Sequence, residues 1–121
     1  MLRTANRASV PATERDEVAH QLRLMRDRRE ENRVRLRTLQ LRLTHAAEAD
    51  TRTCRNLPTT FGRHASDWTR QHEAHFQRRL GELRLDARNE IGAIERKIER
   101  QTKAIAAFHL KNAPRRNPHQ S

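Results

Sequence analysis

The chain has 121 residues, with 26 Lys and Arg against 15 Asp and Glu for a formal net charge of +11, and only 3% of its residues are aromatic. At 34% hydrophobic it is one domain at most and lean for a compact core of that size, so an elongated helical body with one apolar stripe per helix is expected. No stretch approaches the roughly 18 apolar residues needed to span a bilayer, and a single cysteine excludes an intramolecular disulfide and a cysteine metal cluster.

Residues 1–13 hold Arg3 and Arg7 with no acidic residue. This is the composition of a mitochondrial presequence, or of a flexible N-terminal arm, which is the simpler reading in a chain so rich in arginine. Pro11 and Pro58 bracket a first long segment free of proline and glycine. Thr13 followed by Glu14 and Asp16 is a helix-start signal, with a capping hydroxyl and acids at the positive helix end. From there Val18, Leu22, Met25, Leu36, Leu39, Leu43 and Ala46 recur at spacings of three and four, which predicts a helix over 14–53.

Asn56, Pro58, Thr59, Thr60 and Gly62 mark a loop over 54–65. Ser66 and Asp67 then predict the cap of a second helix over 66–111, whose stripe runs through Phe76, Leu80, Leu83, Ala87, Ile91, Ile94, Ile98, Ile105 and Phe108. Asn112 and Pro114 stop it, and 112–121, with Arg115 and Arg116, is expected to be a disordered basic tail. The expected fold is all-α, an antiparallel two-helix coiled-coil hairpin spanning 14–111.

Folding the two stripes back on each other sets Leu39 against Leu80, Leu36 against Leu83 and Met25 against Ile94. Arg29 and Asn32 interrupt the first stripe and then face Glu90 and Ala87. The second stripe slips by one residue at this level, between Ala87 and Ile91. Polar seam residues fix register and orientation, so Arg29, Asn32 and Glu90 are predicted to set it, through an Arg29–Glu90 pair. Ile105 and Phe108 then overhang the start of the first helix, either covered by Val10 and Leu2 or left as an apolar contact end.

Chemistry-bearing patterns are sparse. His72-Glu73-Ala74-His75 misses by one residue the spacing that places two histidines one helical turn apart around zinc, and solvated histidines are the simpler reading. Cys54 has no evident base held in a pocket. No enzyme, cofactor or metal is expected.

The features that point to partners are charge and aromatics. Arg outnumbers Lys by 23 to 3, and Arg23, Arg26, Arg28, Arg33 and Arg37 stand in the densest stretch. Such charge attracts phosphate or acidic protein surfaces, Arg making the bidentate contacts that Lys cannot. No aromatic interleaves that stretch to stack on single-stranded nucleic acid, and a solvated coiled-coil face, or codon bias, would look similar. Phe61 and Trp68 lie near the turn, either as a docking tip or as a cap on the open end of the helix pair.

A short, Arg-rich antiparallel pair with the run Leu22-Arg23-Leu24-Met25-Arg26-Asp27-Arg28-Arg29 early and a second helix that contains Trp68 resembles the helical-hairpin stalk proteins of flagellar and type III secretion export. That resemblance, over about residues 14–111, implies a hairpin engaging an export ATPase and a membrane export gate. A local similarity to the mitochondrial ATPase inhibitor runs through Phe61-Gly62-Arg63, Asn89-Glu90-Ile91 and Ile98-Glu99-Arg100. His64-Ala65-Ser66-Asp67 stands where that family is acid-rich, which makes coincidence of two coiled coils the better account.

The leading expectation is a non-enzymatic adaptor or structural subunit docking onto an acidic protein surface of a larger assembly, such as a secretion-ATPase stalk. Its alternative is sequence-nonspecific nucleic-acid binding or packaging. The contact residues are then Arg23, Arg26, Arg28, Arg33, Arg37, Phe61, Trp68, Phe108, Arg115 and Arg116. No stable membrane insertion is expected, self-association into a four-helix bundle stays open, and the compartment is intracellular, cytoplasmic with a mitochondrial alternative.

Overall fold

A computed structural model describes residues 12–58 and 68–113, and among these every regular element is an α-helix. Helix α1 spans Ala12–Arg52, α2 Arg70–Asp86 and α3 Arg88–Asn112. None of them is long and apolar enough to cross a membrane.

α1 is 41 residues without a proline or glycine, dominated by Arg, Leu, Glu and Ala, all good helix formers. It already includes Ala12 and Thr13, so the expected Thr13 cap lies inside the first turn. At the other end Thr51 and Thr53 turn their hydroxyls back onto the carbonyls of Ala47 and Ala49, at 2.8 and 2.9 Å. Cys54 N–H closes a tighter turn on Thr51 O at 3.2 Å, the usual way a helix end satisfies its last carbonyls.

The single second helix expected over 66–111 is two helices, and it starts at Arg70 rather than Ser66. The cap is Thr69. Its hydroxyl accepts from His72 N–H while His72 Nδ1 accepts from Thr69 N–H at 3.1 Å, a reciprocal box in which His replaces the customary Glu or Gln. The helix is interrupted at Ala87, where φ −92° and ψ 4° leave the α region, although Ala87 N–H still reaches Leu83 O and Ile91 N–H reaches Ala87 O. The slip in apolar spacing from Ala87 to Ile91 falls at this residue.

The chain forms two compact units, Val34–Glu95 and Met1–Arg33 with Arg96–Ser121, so α1 and α3 each contribute to both. In the first, Leu39, Ala47, Leu80 and Ile94 are buried, and Thr51 is fully buried among them. Its helices are keyed together by polar contacts. Thr51 Oγ1 and His75 Nδ1 are 2.8 Å apart, and Arg79 Nε donates to Asp50 Oδ2 at 2.7 Å.

In the second unit Ile105 is buried, and so is Asn32. Asn32 Nδ2 donates to Gln101 Oε1 at 3.1 Å, Arg29 Nη1 to Thr102 Oγ1 at 3.4 Å, and Arg26 Nη2 to His109 Nε2 at 3.1 Å. The expected Arg29–Glu90 pair is not formed, and Asn32 meets Gln101 rather than Ala87. Within Val34–Glu95, Ile94 shares a cleft with Leu39 rather than with Met25. The register is displaced by several turns, with α1 keyed to α2 through Asp50 and Thr51 and to α3 through Asn32. Ile105 therefore does not overhang. It is buried in a unit where α1 supplies the half-buried Val18, Leu22 and Met25.

Candidate interaction surface

The residues expected to touch partners fall into separate places. Arg23, Arg26 and Arg28 are exposed on α1 in the unit that includes Arg96–Ser121, and Arg33, half-buried there, is 3.9 Å from Glu30. Arg37 is exposed but belongs to Val34–Glu95, so the arginine run is shared between the two units. Phe61, Arg115 and Arg116 lie outside the described residues, as do Val10, Leu2 and Ser66.

Arg26 and Arg29 are partly occupied within their own unit. Because a guanidinium only donates, the contact from Arg26 requires a lone pair on His109 Nε2. Arg29 is held by Thr102, with its Nε buried and unpartnered. Arg23 and Arg28 make no side-chain hydrogen bond or ion pair among the described residues, which leaves their charge available to a partner. The neighbouring end of α3 adds Arg96, Lys97, Arg100, Lys103 and Lys111 against Glu99, whose one ion pair is to Lys103 at 3.1 Å. Cations there also suit the negative end of the helix. Phe108 is half-buried, while Leu110 beside it is 81% exposed.

Trp68 is committed locally. Its indole Nε1 donates to Glu73 Oε2 at 2.7 Å, its ring lies 5.5 Å from His72 and edge-on to Phe76 at 5.9 Å, and Arg52 sits over it at 5.3 Å. It therefore ties the last turn of α1 to the first turn of α2. The bonds from Gln77 and then from Trp68 hold the Glu73 carboxyl below the usual glutamate range. Those from Asp50 and Glu82 push the Arg79 guanidinium further up. His72 and His75, the near-match to a zinc motif, are engaged by Thr69 and Thr51. No group of three His, Cys, Asp or Glu able to hold a metal ion occurs among the described residues.

Two clefts lie within Val34–Glu95. One, of about 490 Å³, is lined by Cys54, Asn56, Leu57, Gln71, His75 and Arg78. The other, of about 280 Å³, has Leu39 and Ile94 at its floor with Val34, Arg35, Arg42 and Glu90 around it. Sequence reading missed the second because it placed Ile94 and Leu39 on different partners.

Fold and surface together define an all-α, arginine-rich protein whose exposed features are charge and isolated apolar side chains. No protein-family model, curated protein or solved structure matches this chain.

Proposed function

We propose that this chain is a non-enzymatic helical adaptor, an antiparallel coiled-coil hairpin that docks its arginines onto an acidic protein surface of a larger assembly. The carrying observation is the exposure of Arg23, Arg26 and Arg28 on one helix in the unit whose other helix end is itself basic. The order in which Asn32, Arg29 and Arg26 meet Gln101, Thr102 and His109 supports the antiparallel sense, since one number falls as the other rises. A stalk-like subunit engaging a secretion ATPase is the concrete form of that assembly, favoured by the arginine run at 22–29. The half-buried, unpaired Cys54 suits an intracellular, reducing compartment.

Nucleic acid is the competing partner class. Nonspecific binding would rest on phosphate contacts alone and fall steeply with salt. No aromatic interleaves the stretch that holds Arg23, Arg26 and Arg28, which favours protein carboxylates over stacked bases. The test is fluorescence anisotropy of a labelled duplex and a labelled single strand titrated at two salt concentrations. Alongside it, the protein carrying Arg23→Glu, Arg26→Glu and Arg28→Glu is compared with the parent for co-purification of a defined assembly from the source cell. Weak nucleic-acid binding near physiological salt, with co-purification lost on charge reversal, is the expected result. Submicromolar duplex binding that survives that salt overturns the adaptor reading in favour of nucleic acid.

A further inference from the structure

Within Val34–Glu95, α1 carries an apolar stripe that is largely covered among the described residues and, on another side, an exposed face with two apolar side chains. Leu36, Leu39, Leu43 and Ala47 form the first, with Leu39 and Ala47 buried. Val34, Thr38 and Leu41, at steps of four and three, form the second. Val34 is 45% exposed and Leu41 57%, and Leu85 on α2 is 58% exposed. Apolar side chains exposed on one helix face favour contact with a partner that covers them.

The charges beside that stripe are of both signs and are unspent. Arg35, Arg42 and Glu90 line the cleft that has Val34 on its rim, yet none of the three forms an ion pair or side-chain hydrogen bond among the described residues. Two arginines seven residues apart on α1 and one carboxylate on α3 make a surface complementary to itself. In a two-fold contact each partner meets the same patch turned around, so Glu90 of one copy is offered to Arg35 and Arg42 of the other, twice over. The rest of the molecule works against nonspecific association. Residues 1–33 and 96–121 hold 15 Lys and Arg against 7 Asp and Glu, whereas 34–95 holds 11 against 8.

We infer that a second copy of this chain docks on the Val34–Thr38–Leu41 face of α1, forming a two-fold dimer through residues 34–95 in which Glu90 of each copy meets Arg35 and Arg42 of the other. Leu41 and Val34 supply the apolar contact. The opposed charges favour that alignment over ones that leave Glu90 unpaired or set Arg35 and Arg42 against their own copies.

The experiment is sedimentation velocity on the full chain across the micromolar range near physiological salt. A monomer–dimer equilibrium is expected in the parent, weakened about tenfold or more by Leu41→Asp. Because Leu41 is exposed, the far-ultraviolet circular dichroism of that variant should match the parent. Glu90→Arg and the double variant Arg35→Glu with Arg42→Glu should each be monomeric alone. Mixed one to one they should dimerise, since every contact across the interface is again opposite in sign. That recovery distinguishes a direct contact from a folding defect. A parent monomeric throughout overturns the inference and leaves the cleft to a different protein. A dimer indifferent to Leu41→Asp, or charge variants that fail to recover on mixing, overturns it equally.

Discussion

At Arg29 a guanidinium Nε is buried without a hydrogen-bond partner while Nη1 reaches Thr102 over a long 3.4 Å. A weak bond contributes little, whereas an unsatisfied buried donor costs about 1–3 kcal/mol. Arg29→Leu should therefore stabilise the protein by about 1 kcal/mol and raise its melting temperature, read by circular dichroism. Glu73 offers a second local test. Its carboxyl is held below the usual range by Gln77 and Trp68, so the folded state favours the charged form. The associated stability is complete above the pH where unfolded glutamates ionise, about 4.3, and is lost as pH falls through the lower folded value. Trp68 is the chain's single tryptophan, so its emission should report loosening of the α1–α2 corner on acidification. Glu73→Gln, which keeps an acceptor but not the charge, should flatten that acid response.

α2 is the element where local signals and tertiary keys can be told apart. Its start is decided by the Thr69–His72 box and by the Trp68–Glu73 bond, which occupies the position where an apolar staple usually sits. Its interior contains Gly81, exposed, with nothing within 4 Å of an added Cβ. Glycine in a helix interior costs about 1 kcal/mol relative to alanine through backbone entropy. Gly81→Ala should accordingly raise the unfolding free energy by about 0.5–1 kcal/mol, seen as a higher denaturant midpoint at unchanged slope. At the α2–α3 junction the break is one residue, Ala87, with the backbone bonds on either side retained.

On the scale of the whole molecule, charge opposes compaction. The excess of +11 is drawn mainly from arginines distributed along the whole sequence, so self-repulsion is spread along the chain. Salt screens exposed charges within about 8–10 Å at physiological strength. Adding sodium chloride should therefore raise the melting temperature, and a fall would mean that surface pairs such as Arg79–Asp50 outweigh the repulsion. Among the described residues few side chains are buried, and Ile105 is the one buried apolar residue of the Met1–Arg33 and Arg96–Ser121 unit. That unit relies on the polar contacts of Asn32 and Arg26, a hydrogen bond of this kind being worth about 1 kcal/mol.

The helical class and the stripes were legible in the sequence because they depend on local propensity and on a 3.6-residue period: no proline or glycine interrupts 12–52, and apolar residues recur at three and four. The near-continuity of the second helical stretch and the slip at Ala87 were visible for the same reason. Which residue faces which was not. Leu39 is apolar whether it meets Leu80 or Ile94, and Arg29 suits a seam opposite Glu90 as readily as one opposite Thr102. Register is chosen by a few keyed contacts between residues far apart in the chain, Asp50 with Arg79, Thr51 with His75 and Asn32 with Gln101. Periodicity repeats every turn and so cannot distinguish one alignment from another a few turns away; only the folded chain made that choice.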